Sequence, residues 1–189
     1  MWAGMWAGQS AGARVALSAA LGTALLALGL AGGRAAAADP EPWPALLERL
    51  GVQLVVESAC GGPGQLATYN MGLNRLCLSA ALERDPALRE RVLQHELVHV
   101  VQDCLDGLET PTSLSLQEGL RATGAFSDQQ LAGFFLQYLR AQGNLRHVVA
   151  TTAPLPQDSR QREVEAYALQ GDPPLVRRLL ETRCRSPHP

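Results

Sequence analysis

The chain has 189 residues, with 16 basic and 18 acidic side chains and a net charge of −2. That balance gives no electrostatic footprint for nucleic acid or an anionic membrane surface. The length, once an amino-terminal leader is set aside, fits one domain.

The leader is read from three regions in order. Arg14 precedes an apolar run over residues 15–30, and Ala36-Ala37-Ala38 then offers a small-x-small cleavage site before Asp39-Pro40. This is the pattern of a secretory signal peptide, and the run is short for a membrane span of about 20 residues. Residues 1–38 are therefore expected to be removed. Residues 39–189 are expected to form one secreted or periplasmic domain, with no membrane attachment after cleavage. That part keeps all 18 acidic but only 14 basic residues, a net charge near −4.

All four cysteines, Cys60, Cys77, Cys104 and Cys184, lie beyond the leader, and none forms C-x-x-C. An even count after a signal peptide points to disulfides rather than a cysteine metal site. Of the three possible connectivities, pairing near neighbours first gives Cys60–Cys77 and Cys104–Cys184.

Residues 45–50 read as a short helix closed by Gly51, and residues 52–56 as a strand by their β-branched content. Gly61-Gly62-Pro63-Gly64 is a turn without the strand-and-helix setting of a phosphate loop. Residues 66–69 and 75–79 read as two more strands joined through Asn70-Met71-Gly72, which together predict a small antiparallel sheet.

Asp85-Pro86 opens the longest helix, since Asp is favoured at the N-cap and Pro in the first turn. It is predicted to run to about Leu105 and to stop at Gly107. Within it lies His95-Glu96-Leu97-Val98-His99, an H-E-x-x-H pattern flanked by Leu93, Val100 and Val101. Residues four apart share a helix face, so His95 and His99 can aim two imidazoles at one metal ion. Glu96 is then within reach of a water on that ion. Zinc suits imidazole ligands and, when catalytic, keeps one position for water.

The stretch resembles the zinc-binding helix of the zincin metallopeptidases, and the chain as a whole looks like a small bacterial Glu-type member of that group. The resemblance implies that His95 and His99 are zinc ligands and Glu96 the catalytic base. It also implies a small zincin-like α+β domain: a short antiparallel sheet packed on a long metal-binding helix, followed by C-terminal helices. In such domains the edge strand holds extended peptide, and the 75–79 strand is the candidate edge. Asp103, four residues beyond His99, is a candidate to orient a ligand histidine.

Catalytic zinc takes a third protein ligand. Glu163-Val164-Glu165-Ala166 resembles the E-x-E-A pattern of small Glu-type zincins, in which the Glu directly before Ala binds the metal. That selects Glu165 and leaves Glu163 solvated or in a supporting position. Glu118 competes, because it follows His99 at a spacing close to that of larger Glu-type zincins. Between and after these, helices are predicted over residues 116–122, from the Ser127 capping box to about Ala141, and over 160–170 and 175–183. His147 and Tyr167 are candidates to donate a hydrogen bond to a reaction oxyanion. The expected function is a zinc-dependent peptidase acting on peptide or protein substrates. The alternative is a non-catalytic binding or structural domain that keeps the metal helix.

Overall fold

A computed structural model describes residues 40–108, 110 and 112–184; the expected signal peptide lies outside them. The residues from Pro42 onward form one compact unit of α+β type.

Helix α1 (Trp43–Arg49) has a proline in its first turn, buries Leu46 and Leu47, and ends before Gly51, which adopts φ +79°. Strands β1 (Gln53–Glu57), β2 (Ala67–Asn70) and β3 (Arg75–Ser79) follow. The turn between β2 and β3 is a single 3₁₀ turn. Asn70 accepts a hydrogen bond from the Leu73 backbone there, and Asn74 sits in the left-handed region at φ 46°.

The sheet order is β1-β3-β2, with β1 parallel and β2 antiparallel to β3. This corrects two expectations: the sheet is mixed rather than antiparallel, and the 75–79 strand is its centre rather than its edge. Burial agrees with this order. Leu76 and Leu78 are fully buried, whereas β1 and β2 are only partly covered. The central strand is the most buried of the three, because neighbours on both sides shield it from water. The Cys60–Cys77 disulfide ties the 58–66 connection to this central strand.

Helix α2 (Pro86–Cys104) begins as expected, with the Asp85 side chain accepting from the Leu88 backbone. It buries Leu97, Val98, Val100 and Val101 completely. The sheet packs on it, as do α6 (Gln157–Leu169) and α7 (Pro173–Arg183). Between them run α3 (Leu116–Arg121), α4 (Asp128–Ala141) and the unanticipated α5 (Leu145–Thr152). The Cys104–Cys184 disulfide joins the end of α2 to the end of α7. Both bridges match the near-neighbour pairing. With a sequence separation of 80, chain-entropy arguments assign the second about 4–5 kcal/mol. Among the described residues, no helix is long and apolar enough to cross a membrane.

Candidate metal centre

The two motif histidines lie one turn apart on α2, with their Nε2 atoms 3.3 Å apart. The side chain that meets them comes from α6, and it is Glu163. Its Oε2 lies 3.2 Å from His95 Nε2 and its Oε1 3.3 Å from His99 Nε2. Among the described residues, these three form the one group of metal-ligating side chains whose donor atoms converge. A tetrahedral ion with bonds of about 2.0–2.1 Å separates its ligand atoms by roughly 3.3–3.4 Å. The two imidazole nitrogens already stand at that spacing, and each has a Glu163 oxygen within 3.2–3.3 Å, so the residues fit such an ion.

The electrostatics are those of a site short of positive charge. Burial pulls the His99 imidazolium down, but the Glu163 hydrogen bond and the charges of Glu96 and Glu163 outweigh it, and His99 is held at about 9. Burial pushes Glu163 up, but its bonds to His95 and His99 prevail and hold it well below the usual carboxylate range. Glu96, only 8 % exposed, follows His95 on α2 and lines the same cleft as the histidines and Glu163. That cleft, of about 360 Å³, opens between α2, α6 and strand β2.

Glu165, the expected third ligand, does not join this cluster. Two residues on a helix are about 200° apart, so when Glu163 faces the histidines Glu165 must turn away. It is 1 % exposed and its carboxylate is fully engaged. It accepts from the Leu116 and Gln117 backbones at 2.7 and 3.0 Å, from Gln102 Nε2 at 2.9 Å and from Gln161 Nε2 at 3.3 Å. Glu118 also stands elsewhere. It closes a capping box with Ser115 at the start of α3, and the hydrogen bonds from Ser115 hold its carboxyl below the usual range.

Gln102 is the site residue that sequence reasoning missed. Its Nε2 donates to the Arg162 carbonyl and to Glu165, both of which only accept. The amide oxygen must therefore face His99, whose Nδ1–H donates to it at 2.8 Å. This keeps the proton on Nδ1, so that the proton a metal ion would displace is the one on Nε2, beside Glu163 and His95. The available signal was a buried amide three residues after His99, within an otherwise apolar helix face.

Asp103, the expected orienter, serves β2 instead. It accepts a 2.5 Å hydrogen bond from the Tyr69 hydroxyl, and its other oxygen, buried, has no partner among the described residues. Burial, aided by the Asp106 charge and opposed by the Tyr69 bond, pushes its carboxyl up to about 6. A folded value above the unfolded one means the native state holds this proton to higher pH. The stability Asp103 contributes is therefore complete below about pH 4 and lost as pH rises through about 6, about 3 kcal/mol in all. Urea unfolding at a series of pH values should show wild type losing more stability over that window than Asp103→Asn does; equal slopes would refute this.

Tyr167 and His147, the oxyanion candidates, stack behind the histidines. The Tyr167 ring lies edge-on to His95 at 4.7 Å, and His147 lies against Tyr167 at 5.9 Å. Neither belongs to the cleft lining. Burial and the charges of Glu163 and Glu96 raise the Tyr167 phenol, keeping it protonated.

Strand β2 forms one wall of the cleft and is an edge of the sheet. The Ser79 backbone donates to the Leu66 carbonyl. The alternation of an antiparallel ladder then turns the N–H and C=O of Ala67 and Tyr69 away from β3, toward the open edge.

The chain matches no protein-family model, no curated protein and no solved structure.

Proposed function

We propose that the protein is a zinc-dependent peptidase, with His95, His99 and Glu163 as the zinc ligands and Glu96 as the general base. The observation that carries this reading is the convergence of two imidazole nitrogens 3.3 Å apart, each with a Glu163 oxygen 3.2–3.3 Å away, beside an open cleft. Three neutral-or-anionic ligands on an open site are the donor set of catalytic zinc. When bound, zinc would supply an acidified water and polarise the scissile carbonyl.

The chain's own residues supply the rest. Glu96 takes the proton of the attacking water and later delivers it to the leaving amine. Gln102 holds His99 in the ligating tautomer. Ala67 and Tyr69 offer backbone donors and acceptors to an extended peptide, so substrate adds to the sheet as a further strand. The edge that performs this is β2. The two disulfides support an oxidising compartment, and with the leader sequence they favour a secreted or periplasmic protein.

The test is metal content and turnover measured together on residues 39–189 in oxidised form. Elemental analysis after dialysis against zinc should find about one ion per chain. A pool of mixed peptides should be cut, and phenanthroline should stop the cutting. A chain that binds no zinc under these conditions would refute the proposal. One that binds zinc and cuts nothing would leave the binding-domain alternative.

A further inference from the structure

The cleft holds one cation that the mechanism does not use. Arg162 precedes Glu163 on α6 and lines the same cleft. It is the only Lys or Arg in that lining, and it is half-buried. Among the described residues it forms no ion pair. Its one side-chain contact is a long 3.5 Å bond from Nη1 to the Ser113 carbonyl. Its charge is felt by Glu118, but that carboxylate is exposed and bonded to Ser115.

The surroundings of Arg162 are suited to receiving an anion. Ser159 lies three residues before it and four before Glu163, so all three share one face of α6. Ser159 and Ser113 both line the cleft, and neither hydroxyl is bonded to another described residue. Among the described residues the cleft's two carboxylates are Glu96 and Glu163; Glu163 is held by the histidines, and Glu96 lies beside them. Backbone position is fixed too, because the Arg162 carbonyl accepts from Gln102. A half-buried guanidinium with most of its five donors unused is a strong acceptor-seeking group, and a carboxylate matches its planar fork. One guanidinium balances one negative charge. A peptide carries its negative charges as carboxylates, whose two coplanar oxygens pair with the guanidinium fork, so the chemistry favours carboxylate.

We propose that Arg162, with the Ser113 and Ser159 hydroxyls, reads a carboxylate on the peptide substrate. This rests on the peptidase reading and adds a substrate class to it: peptides bearing an acidic side chain, or a free C-terminus, near the scissile bond.

The experiment uses one peptide cut in the pool assay and its close relatives. In one arm a residue flanking the bond is Glu or Gln; in the other the C-terminus is free acid or amide. Wild type should favour the carboxylate form in one arm by roughly ten- to a hundredfold in kcat/KM, the usual worth of a charged hydrogen bond. The arm that shows the preference identifies the source. Arg162→Gln should abolish the preference while still cutting the neutral form, and Arg162→Lys should restore part of it. Equal cutting of all forms, or a preference that survives Arg162→Gln, overturns the proposal.

A parallel arm needs no turnover. Fluorescein-labelled versions of the same peptides, or of a mixed acidic and neutral set if nothing is cut, are titrated by anisotropy against zinc-loaded Glu96→Gln protein. A carboxylate preference lost in the Glu96→Gln, Arg162→Gln double variant supports the role of Arg162 even if the peptidase reading fails. No preference in binding overturns it even if the peptidase reading holds.

Discussion

Glu163→Ala protein should bind zinc roughly a hundred- to a thousandfold more weakly than wild type. Structural zinc sites hold their ion with about 10–16 kcal/mol spread over four ligands, so one ligand is worth about 3–4 kcal/mol. The site's excess negative charge falls at the same time, and the zinc-free fold should weaken only by the loss of the contacts to His95 and His99, which are partly exposed to solvent. Glu165→Ala should behave in the opposite way. It removes the acceptor for two backbone N–H groups and two glutamine amides, and each buried donor left unpaired costs about 1–3 kcal/mol. The fold should therefore weaken severely. Zinc affinity should drop only about ten- to a hundredfold, through the loosened Gln102, as is usual for supporting residues around a metal. Competition against a chromophoric chelator, beside urea unfolding of the zinc-free proteins, separates the two. Zinc loss as complete in Glu165→Ala as in Glu163→Ala, with stability unchanged, would reverse the assignment.

Glu96→Gln should keep its zinc and its fold but lose peptide hydrolysis by about a thousandfold or more, at the upper part of the range for a general base. The amide is nearly isosteric but cannot accept the proton of the attacking water. KM should change little, because Glu96 acts on the water rather than on the peptide chain. Retained hydrolysis in this variant would remove Glu96 from the mechanism. Comparison with Glu163→Ala is informative, since both lose turnover but only one loses the metal.

The motif half of the site was legible from sequence because it is local. The i, i+4 spacing of His95 and His99 decides their convergence on any regular helix, and α2 is unbroken through the motif. The helix start at Asp85-Pro86 and the Cys60–Cys77 bridge were legible for similarly local reasons, and Cys104–Cys184 followed as the remaining pair. The third donor was not. The choice between Glu163 and Glu165 depends on how α6 is rotated about its own axis over α2, and that is settled by packing. Glu165 shares a stripe with the buried Ala166, Ala168 and Leu169, which turns it inward to the start of α3. Glu163 lies at the stripe's border, where the cleft opens. A resemblance that ranked the two by the following alanine could not contain this rotation. The sheet failed for a related reason. Consecutive strands were expected to pair in order, but β1 and β3 each carry three apolar residues of five, so nothing local in the sequence marked β3 for the centre. Gln102 and Asp103 exchanged roles because they are adjacent: a rotation of about 100° between them decides which faces His99 and which faces Tyr69.

The bridge between Cys104 and Cys184 encloses almost everything that follows the metal helix, including α6 with Glu163 and Arg162. A single backbone cut anywhere from residue 105 to residue 183 therefore opens a ring instead of releasing a fragment. The nicked protein stays one covalent molecule, with the ligands on α2 and α6 held at high local concentration and free to find one another again. In any compartment that contains proteases, damage in the polar stretch between α2 and α3 becomes a survivable event, visible as two pieces only after the thiols are reduced.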